Sequence, residues 1–200
     1  MKTLLQLNTS LFSEQGQSTR LAQRFVEIWR TLNSENSVIV RDLAKDPAPH
    51  LTAERFQAFL APAEERSTEQ QAVVAYSDGL IDELRRADVI VLGLPMYNFG
   101  VPSTLKAYFD HVARVDVTFR YAENGPVGLL ADKPVYVLAT RGGAYRGTSK
   151  DTQTLYVQDF FNFLGISDIR FVYAEGLNLG PERQHASLAE AEAQIGRLAA

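Results

Sequence analysis

The stretch Val89-Ile90-Val91-Leu92 is an unbroken apolar run that follows a long amphipathic segment and ends at Gly93, Leu94 and Pro95. Aliphatic residues without alternation suit a strand whose two faces are both covered. A half-exposed antiparallel strand is a poor fit here, and a parallel sheet with crossover helices is the economical solution.

The rest of the chain supplies the matching parts. Thr3 to Leu7 reads as the first strand, and a helix from about Thr19 to Leu32 puts Leu21, Phe25, Ile28, Trp29 and Leu32 on one face, with Ser18 as its N-cap. Ser37 to Val40 is a short second strand suited to a sheet edge. A long helix over about Ser67 to Arg86 offers Val73, Tyr76, Leu80, Ile81 and Leu84 as a buried stripe, and one starting near Ser103 packs through Leu105, Tyr108, Phe109 and Val112. Pro134 to Thr140 and Ile169 to Ala174 are the fourth and fifth strands. Helices over about Asp151 to Leu164, and through Leu188, Ala191, Ile195 and Leu198, complete the set. The connection from Asp42 to Glu65, with three prolines, holds a short helix near Ala53 to Phe59, and Val115 to Leu130, with a turn at Asn124-Gly125-Pro126, reads as an excursion or hairpin between sheet elements. The expected class is therefore α/β: one domain over residues 1–200, with a doubly wound five-stranded parallel sheet and helices on both faces.

Composition removes several functions. Hydrophobic residues make up 46% and charged residues 22%, with a net charge of -4, so the chain is globular and has no general attraction for nucleic acid or anionic lipid. No apolar run approaches the roughly 20 residues of a membrane span, and no cleavage-like pattern follows Met1. The expectation is a cytoplasmic protein with neither nucleic acid nor membrane as partner. With no cysteine, disulfides, thiolate nucleophiles and cysteine-held metals are excluded. His50, His111 and His185 lack metal-ligand spacing or a serine nucleophile context, so no metal is expected. Their reading is structural or surface, with His111, at the end of the helix after the second loop below, the one placed to influence substrate.

Ligands bind open parallel sheets outside the carboxyl ends of the strands. Three loops leave such ends: Ser10 to Ser18, Pro95 to Ser103, and Thr140 to Gly147. The first offers Ser10, Ser13, Gln15, Gln17, Ser18 and Thr19 before a helix, which is either a phosphate cradle or an ordinary capped turn. Gly16-Gln17-Ser18 contains no lysine, so a P-loop is excluded, and no GxGxxG follows the first strand. The second loop places Met96, Tyr97 and Phe99 where a turn usually carries small residues, with Asn98 either setting the turn or touching a ligand. Pro95 and Pro102 stiffen its ends. A flat conjugated ring, a packed aromatic corner and an oligomer contact all fit that pattern. In the third loop Gly142 and Gly143 permit close approach, while Arg141 is either a partner for a phosphate or ring edge, or half of a surface ion pair.

These segments in this order resemble the FMN-dependent NADH azoreductases over essentially the whole chain. The resemblance is carried by Pro95-Met96-Tyr97-Asn98-Phe99-Gly100-Val101-Pro102-Ser103 and Leu105-Lys106-Ala107-Tyr108-Phe109-Asp110-His111, with support from Thr118-Phe119-Arg120-Tyr121, Asn124-Gly125-Pro126-Val127-Gly128-Leu129 and Thr140-Arg141-Gly142-Gly143. It implies a flavodoxin-like strand order of 2-1-3-4-5. It further implies FMN as bound cofactor, with Ser10, Gly16, Gln17 and Ser18 around its phosphate and ribityl chain. Met96, Tyr97, Asn98 and Phe99 would border the isoalloxazine, and Thr140, Arg141, Gly142 and Gly143 would close the site. Relatives often carry serine where this chain has Gly16, which removes one hydroxyl and keeps the backbone N–H. NADH would be the electron donor and quinones or azo compounds the acceptors, in a ping-pong scheme within a homodimer whose sites lie near the interface. The flavin carries the chemistry, so no acid–base triad is called for. Phe99, Phe119 and Tyr121 are candidates for the acceptor pocket, and Phe160 and Phe161 for a contribution across the dimer or for the core. A flavodoxin-type electron carrier and a flavin-binding regulatory protein are the competing readings.

Overall fold

The computed structural model describes residues 1–199. Its chain order is β1 (Thr3–Asn8), α1 (Gln17–Leu32), β2 (Ser37–Asp42), α2 (Ala53–Leu60), α3 (Thr68–Arg86), β3 (Val89–Pro95), α4 (Ser103–Val112), β4 (Phe119–Ala122), β5 (Gly125–Gly128), β6 (Val135–Thr140), α5 (Thr152–Leu164), β7 (Ile169–Ala174) and α6 (Pro181–Leu198). Five strands form one parallel sheet in the order β2-β1-β3-β6-β7, which is 2-1-3-4-5 when the separate antiparallel hairpin β4-β5 is left out of the count.

The apolar run that opened the chain's logic lies at the sheet's centre. Every residue of β3 is buried, as is every residue of β6, because helices cover both faces. On one face Leu4, Val91, Leu138 and Val172 pack against Leu21, Phe25 and Trp29 of α1 and Ala191 and Ile195 of α6. On the other, Leu5, Ile90, Leu92 and Val137 meet Leu80 and Leu84 of α3, Phe109 of α4 and Val157 and Phe161 of α5. The strand β2 stands at the edge and shows no fully buried residue.

Register brings the functional ends level. Asn8 lies opposite Asp42 and Gly93, Pro95 opposite Thr140, and Thr140 opposite Ala174. The loops that leave β1, β3, β6 and β7 therefore emerge along one edge. The hairpin lies away from the sheet against the end of α5, where Leu130 N–H donates to the Leu164 carbonyl at 3.0 Å and Phe119 packs on Phe163 with ring centres 4.2 Å apart. Gly128 lies so close to Gly165 and Leu164 that a Cβ there would overlap their backbone.

Two helix faces differ from expectation. In α3 the stripe rotates, with Val74 and Ser77 fully buried while Val73 and Tyr76 are half-buried, because Ser77 donates to the His111 carbonyl at 2.6 Å and so belongs inside. In α1 Leu32, placed on the packed stripe by its spacing, is exposed at the last residue of the helix. No helix among the described residues is long and apolar enough to cross a membrane.

Candidate functional site

The loop after β1 is tied down at both ends. Thr9 donates its hydroxyl to the Gly93 carbonyl at 2.7 Å, and Ser13, in a left-handed conformation at φ 48°, donates its hydroxyl to Asp42 at the end of β2. Ser10 is buried and its hydroxyl accepts the Phe12 N–H at 3.2 Å. Gly16 occupies ordinary extended backbone at φ -70°, so what requires glycine is space: a Cβ would overlap the Ser10 side chain.

The N-cap of α1 is Gly16, not Ser18. The helix begins two residues earlier than its apolar periodicity indicates, because its first turn buries polar residues, and no side chain caps its amino terminus. Ser18 and Thr19 therefore lie within that first turn, fully buried, and neither hydroxyl has a hydrogen-bond partner among the described residues. Amides of an uncapped first turn and an unpaired buried hydroxyl make a concave donor site suited to an anion.

The second wall is a strained turn. Asn98 and Phe99 both have positive φ, at 49° and 61°, and Tyr97 and Gly100 exchange backbone hydrogen bonds across them at 3.2 and 2.9 Å. This is the pattern of a type I′ turn, in which the second central position ordinarily favours glycine. Phe99 occupies it, half-exposed, with its ring 5.4 Å edge-on from Tyr145. Asn98 is exposed and contributes its tolerance of left-handed backbone.

The third wall is fixed by Arg141. Its side chain is fully buried, not at the surface, and its guanidinium donates to Asp151 at 2.6 Å, Glu175 at 3.1 Å and Thr154 at 3.2 Å. The charge is thus committed within the protein, which removes it as a direct counter-charge for a phosphate or ring. Glu175 also accepts the N–H groups of Tyr145 and Arg146, each at 2.9 Å, so one carboxylate shapes the whole loop. Burial pushes the Asp151 carboxyl up, but the hydrogen bonds from Arg141 and Thr154 outweigh it and hold the group below its ordinary value. Across the loop, the N–H groups of Gly176, Leu177 and Asn178 donate to the carbonyls of Gly143, Arg141 and Gly142.

Two adjoining cavities join these walls. One, of about 270 Å³, runs from Ser10, Gly16, Gln17 and Ser18 to Tyr97 and Thr140. The other, of about 400 Å³, lies between Asn98, Phe99, Gly143 and Tyr145. Met96, Gly142 and Asn178 line both, so they form a continuous cleft. All twelve residues proposed from the sequence for the cofactor border it. Sequence reasoning missed Asn178, whose side chain packs over Gly142, and Tyr145, which packs over Gly143. Neither has a motif around it; the only signal is proximity to the ends of β6 and β7.

The acceptor-pocket candidates are less well grouped. Of these, Phe99 alone lines the cleft. Phe161 is buried in the core and Phe160 stacks on Phe109 with centres 3.7 Å apart, so α5 points both into the protein's interior packing rather than into the cleft of this chain. Phe119 is buried against Phe163, while Tyr121 is 75% exposed on the hairpin. His111 is also remote in contact: it is buried, hydrogen-bonded through Nε2 to the Pro49 carbonyl at 2.9 Å and flanked edge-on by Phe59 and Tyr76. Burial pushes its imidazole below the ordinary value.

A doubly wound sheet with an uncapped helix start at its carboxyl edge defines a protein of the flavodoxin-like class, and a family model described as "Flavodoxin-like fold" matches residues 1–198. An FMN-dependent NADH:quinone oxidoreductase from Cellvibrio japonicus (strain Ueda107) is 59% identical over 192 residues, covering 96% of each chain. Among solved structures, an azoreductase from Bacillus anthracis str. Sterne has a TM-score of 0.90 at 25% identity, covering 100% of this chain and 99% of the other. An FMN-dependent NADH-azoreductase from Bacillus anthracis str. Ames Ancestor, solved in complex with FMN, has a TM-score of 0.88 at 27% identity over 100% of both chains. The chain belongs to the family of FMN-dependent NADH:quinone oxidoreductases and azoreductases.

The Arg141 network makes a pH-dependent contribution of defined sign. A carboxyl held below its ordinary value stabilises the fold fully above about pH 4, and that stabilisation is lost as pH falls through the folded-state value. Asp151→Asn is expected to cost about 3 kcal/mol near neutral pH, since Arg141 loses a charged partner, and the deficit relative to wild type should narrow below about pH 4. Urea unfolding across that range measures it; a deficit that stays constant into acid would contradict the assignment.

Proposed function

We propose that the cleft binds FMN and that the protein is an FMN-dependent NADH:quinone oxidoreductase and azoreductase. The observation that carries this reading is the buried, unpartnered Ser18 hydroxyl at the uncapped start of α1, at one end of a cleft whose other end is walled by Phe99. The donor set there fits a phosphate dianion: backbone N–H groups of the first turn, the Ser18 hydroxyl and the positive end of the helix dipole, without a lysine or arginine to form a tight ion pair. Glycine at position 16 suits this chain because Ser10 already fills the space a side chain would use.

Bound FMN supplies the two-electron chemistry, taking hydride from NADH and reducing a quinone or, in two rounds, an azo bond to two amines. The protein's part is binding and orientation. Gln17 and Ser18 would hold the phosphate, Met96, Tyr97, Asn98 and Phe99 would border the ring, and Thr140, Gly142 and Gly143 would bring backbone close to it. Arg141 acts through the shape of that loop. The aromatic pair Phe99 and Tyr145 beside the larger cavity offers planar apolar contact to a nicotinamide or an aromatic acceptor. Donor and acceptor occupy this space in turn.

The active form in this reading is a homodimer. The hairpin carries Tyr121, Val127 and Leu129 exposed, and α5 exposes Leu155, an apolar surface that association would cover. Tyr121, exposed on the hairpin that Phe119 anchors against Phe163, then approaches the partner's cleft rather than its own. Sedimentation equilibrium is expected to return twice the chain mass, and a monomer retaining full activity would remove this part of the proposal.

Anaerobic stopped-flow mixing of the FMN-loaded protein with NADH, then with a quinone or azo dye, is expected to show bleaching of the flavin band followed by its recovery, with sustained turnover. Turnover absent despite bound FMN would favour an electron carrier instead. Ser18→Ala is expected to leave the apoprotein's unfolding midpoint nearly unchanged while weakening FMN binding about tenfold, the loss of one hydrogen bond to a charged group. Titration by flavin fluorescence checks it, and unchanged affinity would place the phosphate elsewhere.

A further inference from the structure

Residues 151–153 open α5 and touch two walls of the cleft at once. Asp151 is the N-cap and takes the Arg141 guanidinium, while the Thr152 hydroxyl donates to the Phe99 carbonyl. Gln153 is fully buried and donates its Nε2 to the carbonyls of both Pro95 and Gly100, each at 2.9 Å. Those two carbonyls bracket Met96, Tyr97, Asn98 and Phe99. Gln153 itself does not line the cleft.

The amide's orientation is set by chemistry. A side-chain NH₂ has two donors, and here each carbonyl takes one. The Gln153 Oε1 is buried and has no partner. Flipping the amide would set that oxygen against two carbonyl oxygens, so the orphaned acceptor is the cost of presenting both donors where they are. The turn they hold is one that Phe99 does not adopt unaided, because a bulky residue at positive φ persists only where the surroundings over-determine it.

We propose that Gln153 is the positioning residue of the flavin-ring wall: by pinning the Pro95 and Gly100 carbonyls it holds Phe99 in its left-handed conformation and fixes the surface against which the isoalloxazine lies. Thr152 assists from the same helical turn. This inference rests on the FMN reading above and adds to it a residue outside the cleft that acts on the ring end.

The test separates the ring from the phosphate by comparing FMN with riboflavin, which lacks the phosphate. Gln153→Met keeps side-chain length without donors, and Gln153→Glu keeps shape while replacing the donor pair by acceptors. Both are expected to weaken FMN and riboflavin binding alike, by about tenfold, and to shift the visible absorption band of bound flavin. Ser18→Ala should weaken FMN binding and leave riboflavin binding as it is. A Gln153 variant that folds by circular dichroism, binds riboflavin as wild type does and shows the wild-type flavin spectrum would overturn the inference. Should the buried substitutions prevent folding, the exposed Thr152→Val carries the test, with a smaller loss of about threefold for both ligands; unchanged riboflavin affinity in that variant overturns it equally. A wild-type chain that binds neither flavin would overturn the FMN reading itself, and this inference with it.

Discussion

The Arg141 guanidinium, sealed from water among Asp151, Glu175 and Thr154, joins the end of β6 to the start of α5 and the end of β7. A guanidinium removed from water costs several kcal/mol unless it is paired in good geometry, so these three segments are held to positions that pair its two terminal nitrogens, Nε alone being left without a partner among the described residues. Such a network adds little net stability over an apolar replacement, but it tolerates few alternative arrangements. Glu175 extends the constraint to the amides of Tyr145 and Arg146, and the backbone of residues 176–178 pairs with that of 141–143. One wall of the cleft is therefore a consequence of satisfying a single buried charge.

The opposite wall is maintained against its own preference. Two consecutive residues have positive φ, and while Asn98 tolerates it, Phe99 does so at a cost of order 1–3 kcal/mol. The turn survives because α5 supplies the donors that its carbonyls need, and α5 is itself placed by Val157, Phe161 and Leu164 in the core. Core packing, helix start and aromatic turn thus form one mechanical chain. At the phosphate end α1 is positioned by Leu21, Phe25 and Trp29 against the other face of the sheet, and the loop before it meets the aromatic turn through Tyr97, whose hydroxyl takes the Leu11 N–H at 3.3 Å and lies 3.4 Å from the Ser10 hydroxyl. A ligand that spans the cleft lies along an edge to which helices on both faces of the sheet contribute.

The sequence by itself determined the class. Runs such as Val89 to Leu92, helical stripes such as Leu105, Tyr108, Phe109 and Val112, and turn signals at Asn124-Gly125 are local, and local patterns reflect burial that any solution of this fold must provide. The position of the ligand edge followed from the same patterns, and the loops there carried residues whose types were out of place for plain turns. What only the tertiary structure decided were relations between residues far apart in the chain. Ser18 changed from cap to buried unpartnered donor because the true helix start lies two residues earlier, a difference hidden by a polar first turn packed inside. Arg141, open in the sequence between a ligand partner and half of a surface ion pair, became a buried strut because its partners lie 10 and 34 positions away. Tyr145 and Asn178 were signalled only by their nearness to the ends of β6 and β7, and Gln153 not at all, since each owes its role to a neighbour brought to it by the sheet, and a pairwise contact across the fold has no period to read.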